Sequence, residues 1–498
     1  MMEKERLKER KNNSKPGIHS VKYNFIMNFI LTASSFIFPL ITFPYVSRVL
    51  HVTGNGKVAY AASIANYFMM VASLGIPTYG VRACAKLRDN REEMSKTAQE
   101  ILFINLVATV LTTVVYIIAL FTVPAFREDK PLYLIEGINI VLNMFGVNWI
   151  YQALEEYDYI TFRSILFKAI SIVLMFVFVH QEADYRIYAL ITVMASVGSN
   201  ILNFIRLHSI ITFKRFDYYD FHRHLKPIFV LFAQSVTISI YTNLDTVMLG
   251  AMKNAEEVGL YTAAVKVKTI LVSVVSSLSG VLLPRMSYYV KKNMKSKFQQ
   301  LMQTALRAVL FMSIPLAVYF VLYAPETLRF LAGSEYLPGT LAMQIITIAI
   351  IPIGITGVLG IQVLTPMGLE KNVLYSVVAG AVTDFVLNLL MIRQWGATGA
   401  SLATTIAEVV VLIVQIFYCR KYFSNMKKGL SMGWYCLDTG IAAALAACVK
   451  LLSLPAFPAL MLSAILFFGI YDILLILEKE EMIYKVLDNK ITGRLLRR

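Results

Sequence analysis

The sequence predicts an all-α integral membrane protein that crosses the bilayer about fourteen times. Fourteen apolar stretches, each about long enough to span a bilayer as a helix, lie between Tyr23 and Ile476 and are joined mostly by short connections. Hydrophobic residues make up 57% of the 498 residues and charged residues only 16%, and the mean hydropathy is +0.63. A water-soluble protein of this length needs far more polar surface, so the soluble classes are excluded.

The predicted spans follow the apolar stretches in chain order. They cover residues 23–46, 58–80, 99–123, 132–152, 160–181, 187–208, 227–250, 259–283, 303–323, 340–366, 372–392, 397–418, 434–453 and 457–477. The first span follows a charged tail and is longer than the apolar part of a cleaved signal peptide, so we expect it to remain as a spanning helix. The tenth holds two prolines and four glycines between Ile351 and Gly368, so we expect it to bend or unwind.

The basic residues alternate in density from one side of the predicted membrane to the other. A lysine or arginine near the end of a span is counted with the nearer connection or tail. On this count the two tails and the even-numbered connections hold 35 of the 47 lysines and arginines, and the odd-numbered connections hold 9. The remaining three are Lys168, Lys266 and Lys268. Basic connections stay in the cytoplasm, so both termini are predicted to be cytoplasmic. The net charge of +16 is thus interpreted as a topology signal, with no nucleic-acid partner.

Internal repetition predicts two related lobes of six helices. Leu50–Ile64 leads into the second span and Leu249–Val267 into the eighth, and aligning Tyr60 with Tyr261 places small residues together. A repeat of six spans keeps the same membrane orientation in both copies. The expected organisation is a charged cytoplasmic tail, an N-lobe, a cytoplasmic linker, a C-lobe, a helix pair and a basic cytoplasmic tail, at residues 1–22, 23–208, 209–226, 227–418, 419–478 and 479–498.

Polar side chains at helical spacing mark faces that contact protein or water. Candidates for the lining of a cavity are Asn24 and Asn28 in the first span, Gln234 and Tyr241 in the seventh, and Thr262 and Ser273 in the eighth. Lys266 shares the face of the eighth-span pair, whereas Lys268 lies about 200° round the helix. A charge near mid-membrane costs at least about 2.5 kcal/mol, so we expect Lys266 to line an aqueous cavity. Hydrogen-bonded packing of the stripes, and an ion pair of Lys266 with Asp245, stay open as alternatives.

Other charges inside the spans are weaker candidates. Lys168 shares a face with two serines of the fifth span and is interpreted as lying nearer an end. Asp245, Asp384 and Glu408 are candidates for coupling to a proton or a sodium ion, and a structural hydrogen-bonding role for them is equally open.

The motifs of enzymes and metal sites are missing from the sequence. The four cysteines form no CxxC pair, so neither a metal site nor a disulfide framework is expected. The six histidines, including His222 and His224, are interpreted as solvated or interfacial. Gly54–Lys57 (GNGK) lacks the first glycine of a phosphate-binding loop, and neither HExxH nor GxSxG occurs. We therefore expect a protein that is not an enzyme and binds no cofactor.

Two motifs stand out beside the helix count. One is TNLDTVMLG, VGLYTAAVKV and LLPRMS between Thr242 and Ser287, and the other is WGATGASLATTIAE from Trp395 to Glu408. Over nearly its whole length the chain resembles the polysaccharide-repeat-unit flippases, often called Wzx-type, of the multidrug/oligosaccharidyl-lipid/polysaccharide (MOP) superfamily. The resemblance implies a MATE-like pair of six-helix lobes in a V around a central cationic cavity, with the last helix pair forming a groove for a lipid tail.

The resemblance also implies a function. The substrate would be an undecaprenyl-pyrophosphate-linked oligosaccharide, moved by alternating access from the cytoplasmic to the outer leaflet of the bacterial cytoplasmic membrane. H⁺ or Na⁺ would be the coupling ion, and polysaccharide-assembly proteins would be partners. An anionic pyrophosphate needs cationic partners in a low-dielectric region, and the candidates are Lys266, Arg48, Arg82 and Arg285. The three arginines lie near span ends, where a topology role is equally open.

Three other functions stay open. A multidrug exporter of the MATE type shares the architecture but favours an acidic cavity for cationic drugs. A lipid II flippase of the MurJ type concentrates arginines in the first, second and eighth spans, whereas the first span here is uncharged until Arg48. A membrane polysaccharide polymerase is the enzymatic alternative, and it normally carries a large external loop.

Overall fold

The computed structural model describes residues 21–277, 279–423, 432–478 and 480, and every regular element in these ranges is helical. The chain divides into two compact units. Unit 1 contains the described residues of Met1–Leu50 and Ala61–Ser239, and unit 2 contains those of His51–Tyr60 and Ile240–Arg498. The all-α prediction is confirmed, whereas the predicted lobe boundaries stay a prediction.

The helices are numbered here in chain order. Those up to residue 252 are α1 (Val21–Val49), α2 (His51–Ser73), α3 (Ile76–Ala85), α4 (Arg91–Thr122), α5 (Pro124–Arg127), α6 (Lys130–Met144), α7 (Asn148–Ala153), α8 (Tyr157–Phe178), α9 (Tyr185–Val193), α10 (Asn200–Ile210) and α11 (His222–Met252). Those that follow are α12 (Ala255–Ser276), α13 (Ser279–Lys291), α14 (Lys295–Leu322), α15 (Ala324–Leu331), α16 (Thr340–Ile348), α17 (Ile350–Thr356), α18 (Glu370–Phe423), α19 (Met432–Ala447) and α20 (Ala456–Leu477).

The fourteen predicted spans all have helical counterparts in the described ranges. Twelve stretches there are long and apolar enough to cross a membrane, judged by length and composition. One of them, Glu370–Arg420, holds two predicted spans, because Gly396 has φ 51° and ψ −128° and breaks α18 in two. The predicted seventh span, 227–250, lies within α11.

The second predicted span, 58–80, differs from the structure at both ends. Its helix begins at His51, so the GNGK segment expected in a connection is helical. The helix also breaks at Leu74 and Gly75, both with positive φ, before α3 continues to Ala85. A Cβ at Gly75 would lie 2.6 Å from the backbone nitrogen of Phe232, so close approach of α11 explains why glycine stands there.

The tenth predicted span departs from α geometry, as its prolines and glycines predict. After α17 the chain forms a π-helix over Gly357–Leu364. The N–H of Thr365 donates to the carbonyl of Gly360, five residues earlier, over 3.0 Å. This widened turn lies inside unit 2.

Within unit 2 the two segments that the internal repeat aligns pack against each other. A Cβ at Gly56 would lie 1.7 Å from the carbonyl oxygen of Ala255, and one at Gly259 would lie 2.2 Å from that of Val52. The start of α2 and the start of α12 therefore touch backbone to backbone. A side chain larger than hydrogen at Gly56 or Gly259 would prevent this contact.

The last two helices pack on α14, also within unit 2. The contact is rich in buried tyrosines that donate to backbone carbonyls of the neighbouring helices. Tyr319 donates to Leu460 over 2.8 Å and Tyr323 to Ala446 over 2.7 Å. Lipid tails offer no hydrogen-bond acceptor to these phenol hydroxyls, so the carbonyls satisfy them. The same bonds attach α19 and α20 to the C-terminal unit.

Candidate functional site

A buried polar cluster surrounds Asp245 of α11, inside unit 2. Thr404 and Asn388, both on α18, donate to its two carboxylate oxygens over 2.7 Å each. The hydroxyl of Tyr261 on α12 donates to the same oxygen as Thr404 does. Three helices thus converge on one carboxylate that is only 6% exposed.

A second carboxylate lies beside the first. Asp384, one turn before Asn388 on α18, is 2% exposed and lies within hydrogen-bonding reach of Asp245. Two ionised carboxylates this close repel each other, so a proton or a cation between them stabilises the pair. Oδ1 of Asp384 and Oδ1 of Asn388 are buried acceptors without a hydrogen-bond partner in the described part of the protein. Buried Glu408 interacts electrostatically with Asp384 from a later turn of α18.

Lys266 lies half-buried at the middle of α12. On its face the hydroxyls of Thr262, Thr269 and Ser273 donate to carbonyls of the same helix, over 3.1, 2.8 and 2.7 Å. Their protons are therefore engaged and their oxygens remain available as acceptors. The opposite face, with Leu271 at 4% exposure, is packed in the core.

The ammonium of Lys268 interacts electrostatically with Asp384 of α18. That Lys268 faces a neighbouring helix stays a prediction. The oxygens of Asp245 are engaged by Tyr261, Thr404 and Asn388. The role of Lys266 stays a prediction.

The three predicted cationic arginines are exposed. Two of them lie at helix ends, whereas Arg285 lies at the middle of α13. Arg48 at the end of α1 donates to the carbonyl of Pro44 over 2.5 Å. Arg82 lies in the last turn of α3. Nε of Arg285 donates to the hydroxyl of Tyr289 over 3.0 Å. The first two belong to unit 1, and Arg285 belongs with Lys266 to unit 2.

The predicted polar lining of α1 divides into a packed and an exposed part. Asn24 is 6% exposed and donates to Oε2 of Glu155 over 3.2 Å, so its amide serves packing within unit 1. Asn28, one turn later, is exposed. The side chains of Gln234 and Tyr241 lie outside the described residues.

A charged network in unit 1 escaped the sequence prediction. Glu100 of α4 is fully buried, and it accepts bonds from Nη2 of Arg223 over 2.5 Å, Nε2 of His224 over 2.7 Å and the backbone N–H of Asp220 over 2.8 Å. The other ring nitrogen of His224 lies 2.7 Å from the hydroxyl of Tyr79. The network fastens the first turn of α11, and Asp220 just before it, to α4.

The interpretation of His224 as solvated or interfacial is therefore wrong, because the residue is 1% exposed. The available signal was Glu100 itself, a carboxylate inside a predicted span that needs a partner. Arg163 of α8, 5% exposed, was also missed, although a charged residue inside a predicted span needs a partner. It donates to the carbonyl of Ser199 over 2.7 Å and to Oδ1 of Asn148 over 2.9 Å.

Two family models match the sequence. The model described as polysaccharide biosynthesis protein matches residues 21–290, and the MatE model matches residues 231–390. The "Putative O-antigen transporter" of Escherichia coli (strain K12) is 22% identical over 403 residues, covering 80% of this chain and 97% of that relative.

The fold is similar to that of solved membrane transporters. "Lipid II flippase MurJ, inward closed conformation" superposes with a TM-score of 0.72 at 16% identity, covering 92% of this chain and 100% of that one. An inward-facing multidrug resistance MATE family transporter of the MOP superfamily gives a TM-score of 0.60 at 14% identity, covering 78% and 96%. At these identities the likeness shows a shared fold.

Proposed function

We propose a transport function on the premise that this chain belongs to the polysaccharide biosynthesis protein family, whose model matches residues 21–290. The protein flips an undecaprenyl-pyrophosphate-linked oligosaccharide repeat unit from the cytoplasmic to the outer leaflet of the bacterial cytoplasmic membrane. Alternating access of two lobes moves the substrate, and both termini face the cytoplasm, as the distribution of basic residues predicts.

The observation that supports this proposal most is the half-buried Lys266 at mid-helix on a face of hydroxyl groups. A polar, cationic face on a membrane helix is costly in free energy when it faces lipid, so it is expected to face protein or water. A pyrophosphate carries the opposite charge and accepts several hydrogen bonds at once. The face of Lys266 is therefore our candidate contact for the pyrophosphate, with Arg48, Arg82 and Arg285 as further candidates nearer the membrane surfaces.

The Asp245 cluster is our candidate for coupling to H⁺ or Na⁺. The adjacent carboxyl groups of Asp245 and Asp384 favour a bound proton or cation. Oδ1 of Asp384 and Oδ1 of Asn388, which have no hydrogen-bond partner among the described residues, are hard oxygen ligands of the type that alkali and alkaline-earth ions take. Lys268 of α12 interacts electrostatically with Asp384 in this cluster. A change in the charge of the cluster therefore changes the force on α12, the helix that carries Lys266.

Reconstitution of the purified protein tests the proposal. Liposomes with a fluorescent lipid-linked oligosaccharide should expose the label to an external probe faster than protein-free liposomes. Parallel liposomes with lipid II separate this function from that of a MurJ-type flippase, and elongation of glycan chains by the protein alone would indicate a polymerase. Lys266→Ala should slow flipping at least about tenfold, whereas Lys450→Ala, a lysine that lies 3.6 Å from the carboxylate of Glu326, should change it little. Equal rates with and without the protein would refute the proposal.

A further inference from the structure

A lysine lies at the centre of α8 in unit 1. Lys168 is the twelfth of the 22 residues of this helix, so the expectation that it lies nearer an end is wrong. About ten residues, or about 15 Å of helix, separate it from either end, which is farther than a lysine side chain extends. The ammonium of Lys168 therefore does not reach either end of α8 by snorkelling.

The side chain of Lys168 also points away from the lipid-facing surface of α8. That surface carries the exposed apolar residues Phe162, Leu166 and Val173, at 73%, 43% and 61% exposure. At 100° per residue these positions lie on the side of α8 opposite Lys168. Ser171, almost one turn after Lys168, is instead buried at 2%.

The partners of Lys168 in the described part of the protein are two hydroxyls of α1. Its ammonium donates to Oγ of Ser34 over 2.9 Å and to Oγ of Ser35 over 3.0 Å. Both serine hydroxyls in turn donate to the carbonyl oxygen of Leu31, over 2.7 and 3.2 Å. The hydroxyl protons are thus engaged, and the oxygens act as acceptors that orient the ammonium.

Among the residues that the structure describes, this arrangement leaves the charge of Lys168 uncompensated and one of its N–H groups without an acceptor. An ammonium has three donors, and the serines take two. Two neutral oxygens do not cancel a positive charge in a low-dielectric setting. Ser35 is itself exposed, so the site opens to the outside of unit 1. Lys450 of unit 2 differs, because it lies 3.6 Å from the carboxylate of Glu326.

We propose that Lys168, held by Ser34 and Ser35, is an anion-binding residue of unit 1 that contacts the phosphate of the transported lipid. This inference rests on the proposed function, since it takes a lipid-linked pyrophosphate as the anion. It adds a contact on α8 to the one proposed on α12. The exposed amide of Asn28 lies on the same face of α1, two turns before Ser35, and offers further donors along that face.

Charge-specific rescue of a cysteine variant tests the inference. The exposed Cys436 and Cys448 are first replaced by serine, and binding of radiolabelled undecaprenyl pyrophosphate to the protein in nanodiscs is measured. Lys168→Cys should weaken binding roughly 30-fold. Aminoethyl methanethiosulfonate transfers its thioethylamine to the thiol as a mixed disulfide and releases methanesulfinate. This restores an ammonium near the original position, and binding should return to within about threefold of the starting protein.

The controls separate charge, site and substrate. Methyl methanethiosulfonate forms the neutral mixed disulfide and should leave binding weak, while Lys450→Ala should bind normally. Undecaprenol, which lacks phosphate, and inorganic pyrophosphate, which lacks the lipid, should bind weakly to every variant. Unchanged binding by Lys168→Cys, or equal rescue by both reagents, would overturn the inference and leave the proposed function intact. Failure of the starting protein to bind the pyrophosphate lipid would instead overturn the proposed substrate, and the inference with it.

Discussion

Replacement of Gly396 by alanine should destabilise unit 2 strongly. Gly396 has φ 51° and ψ −128°, a conformation that costs an L-residue of order 1–3 kcal/mol. Its Cβ would also lie 2.3 Å from Oε2 of Glu257. That oxygen accepts the N–H of Ala397 over 2.7 Å, a bond to a charged group that contributes about 1.5–3 kcal/mol. Losing both terms gives about 2.5–6 kcal/mol.

Thermal unfolding in detergent measures the effect. At about 2–4 °C per kcal/mol, Gly396→Ala should lower Tm by roughly 5–24 °C. Gly357→Ala is the matched control, because Gly357 has φ −58° and a Cβ added there would meet no atom within 4 Å. The Tm of this control should stay within about 2 °C of the parent.

A second substitution separates the two contributions. Glu257→Ala removes both the clash and the hydrogen bond, so the double variant with Gly396→Ala should keep only the backbone cost in addition to that of Glu257→Ala. A Tm of Gly396→Ala equal to that of the parent would refute the reasoning.

Three further predictions concern other parts of the molecule. Glu100→Gln removes the charge that Arg223 and His224 share and should lower the free energy of unfolding by about 1–3 kcal/mol, measured by thermal or denaturant unfolding; no change would contradict the proposed fastening of α11 to α4. Asp384→Asn removes one carboxylate of the adjacent Asp245–Asp384 pair, so flipping in liposomes should lose its dependence on a proton or sodium gradient, and a preserved dependence would exclude the cluster as the coupling site. A cysteine at Ser296 should resist a membrane-impermeant maleimide in intact cells, since the basic residues place it in the cytoplasm; labelling from outside would reverse the orientation.

The sequence predicts those features that depend on one helix at a time. Hydropathy locates the spans, and helical spacing separates the polar side of α12 from the buried side that carries Leu271. Such patterns do not predict which residues far apart in the chain contact each other. Asn388 and Thr404 lie 143 and 159 positions from Asp245, and Lys168 lies 134 positions from Ser34. Only packing of different helices brings these groups together.

The positions at which the backbone departs from α-helical geometry were equally hard to predict from the sequence. The glycines and prolines of the tenth span indicated an interruption, but not that it is a π-helix over Gly357–Leu364. The break at Gly396 lies within the WGATGASLATTIAE motif, which gave no sign of the positive φ or of the Glu257 carboxylate that accepts the N–H of Ala397. His224 was misassigned because a basic segment gave no sign of the buried Glu100 that receives it.

The π-helix at Gly357–Leu364 fixes the angular phase between the two halves of its membrane segment. A π-turn holds about one residue more than an α-turn, so it takes up that residue within one turn. In a regular α-helix an extra residue would instead rotate everything beyond it by about 100°. Deletion of Gly357, which has open space around it, would let the turn relax to α geometry and leave the two halves at about their present rotation, with Gln362 still on its buried side. Length variation of one residue at this point is therefore absorbed as a change of turn width.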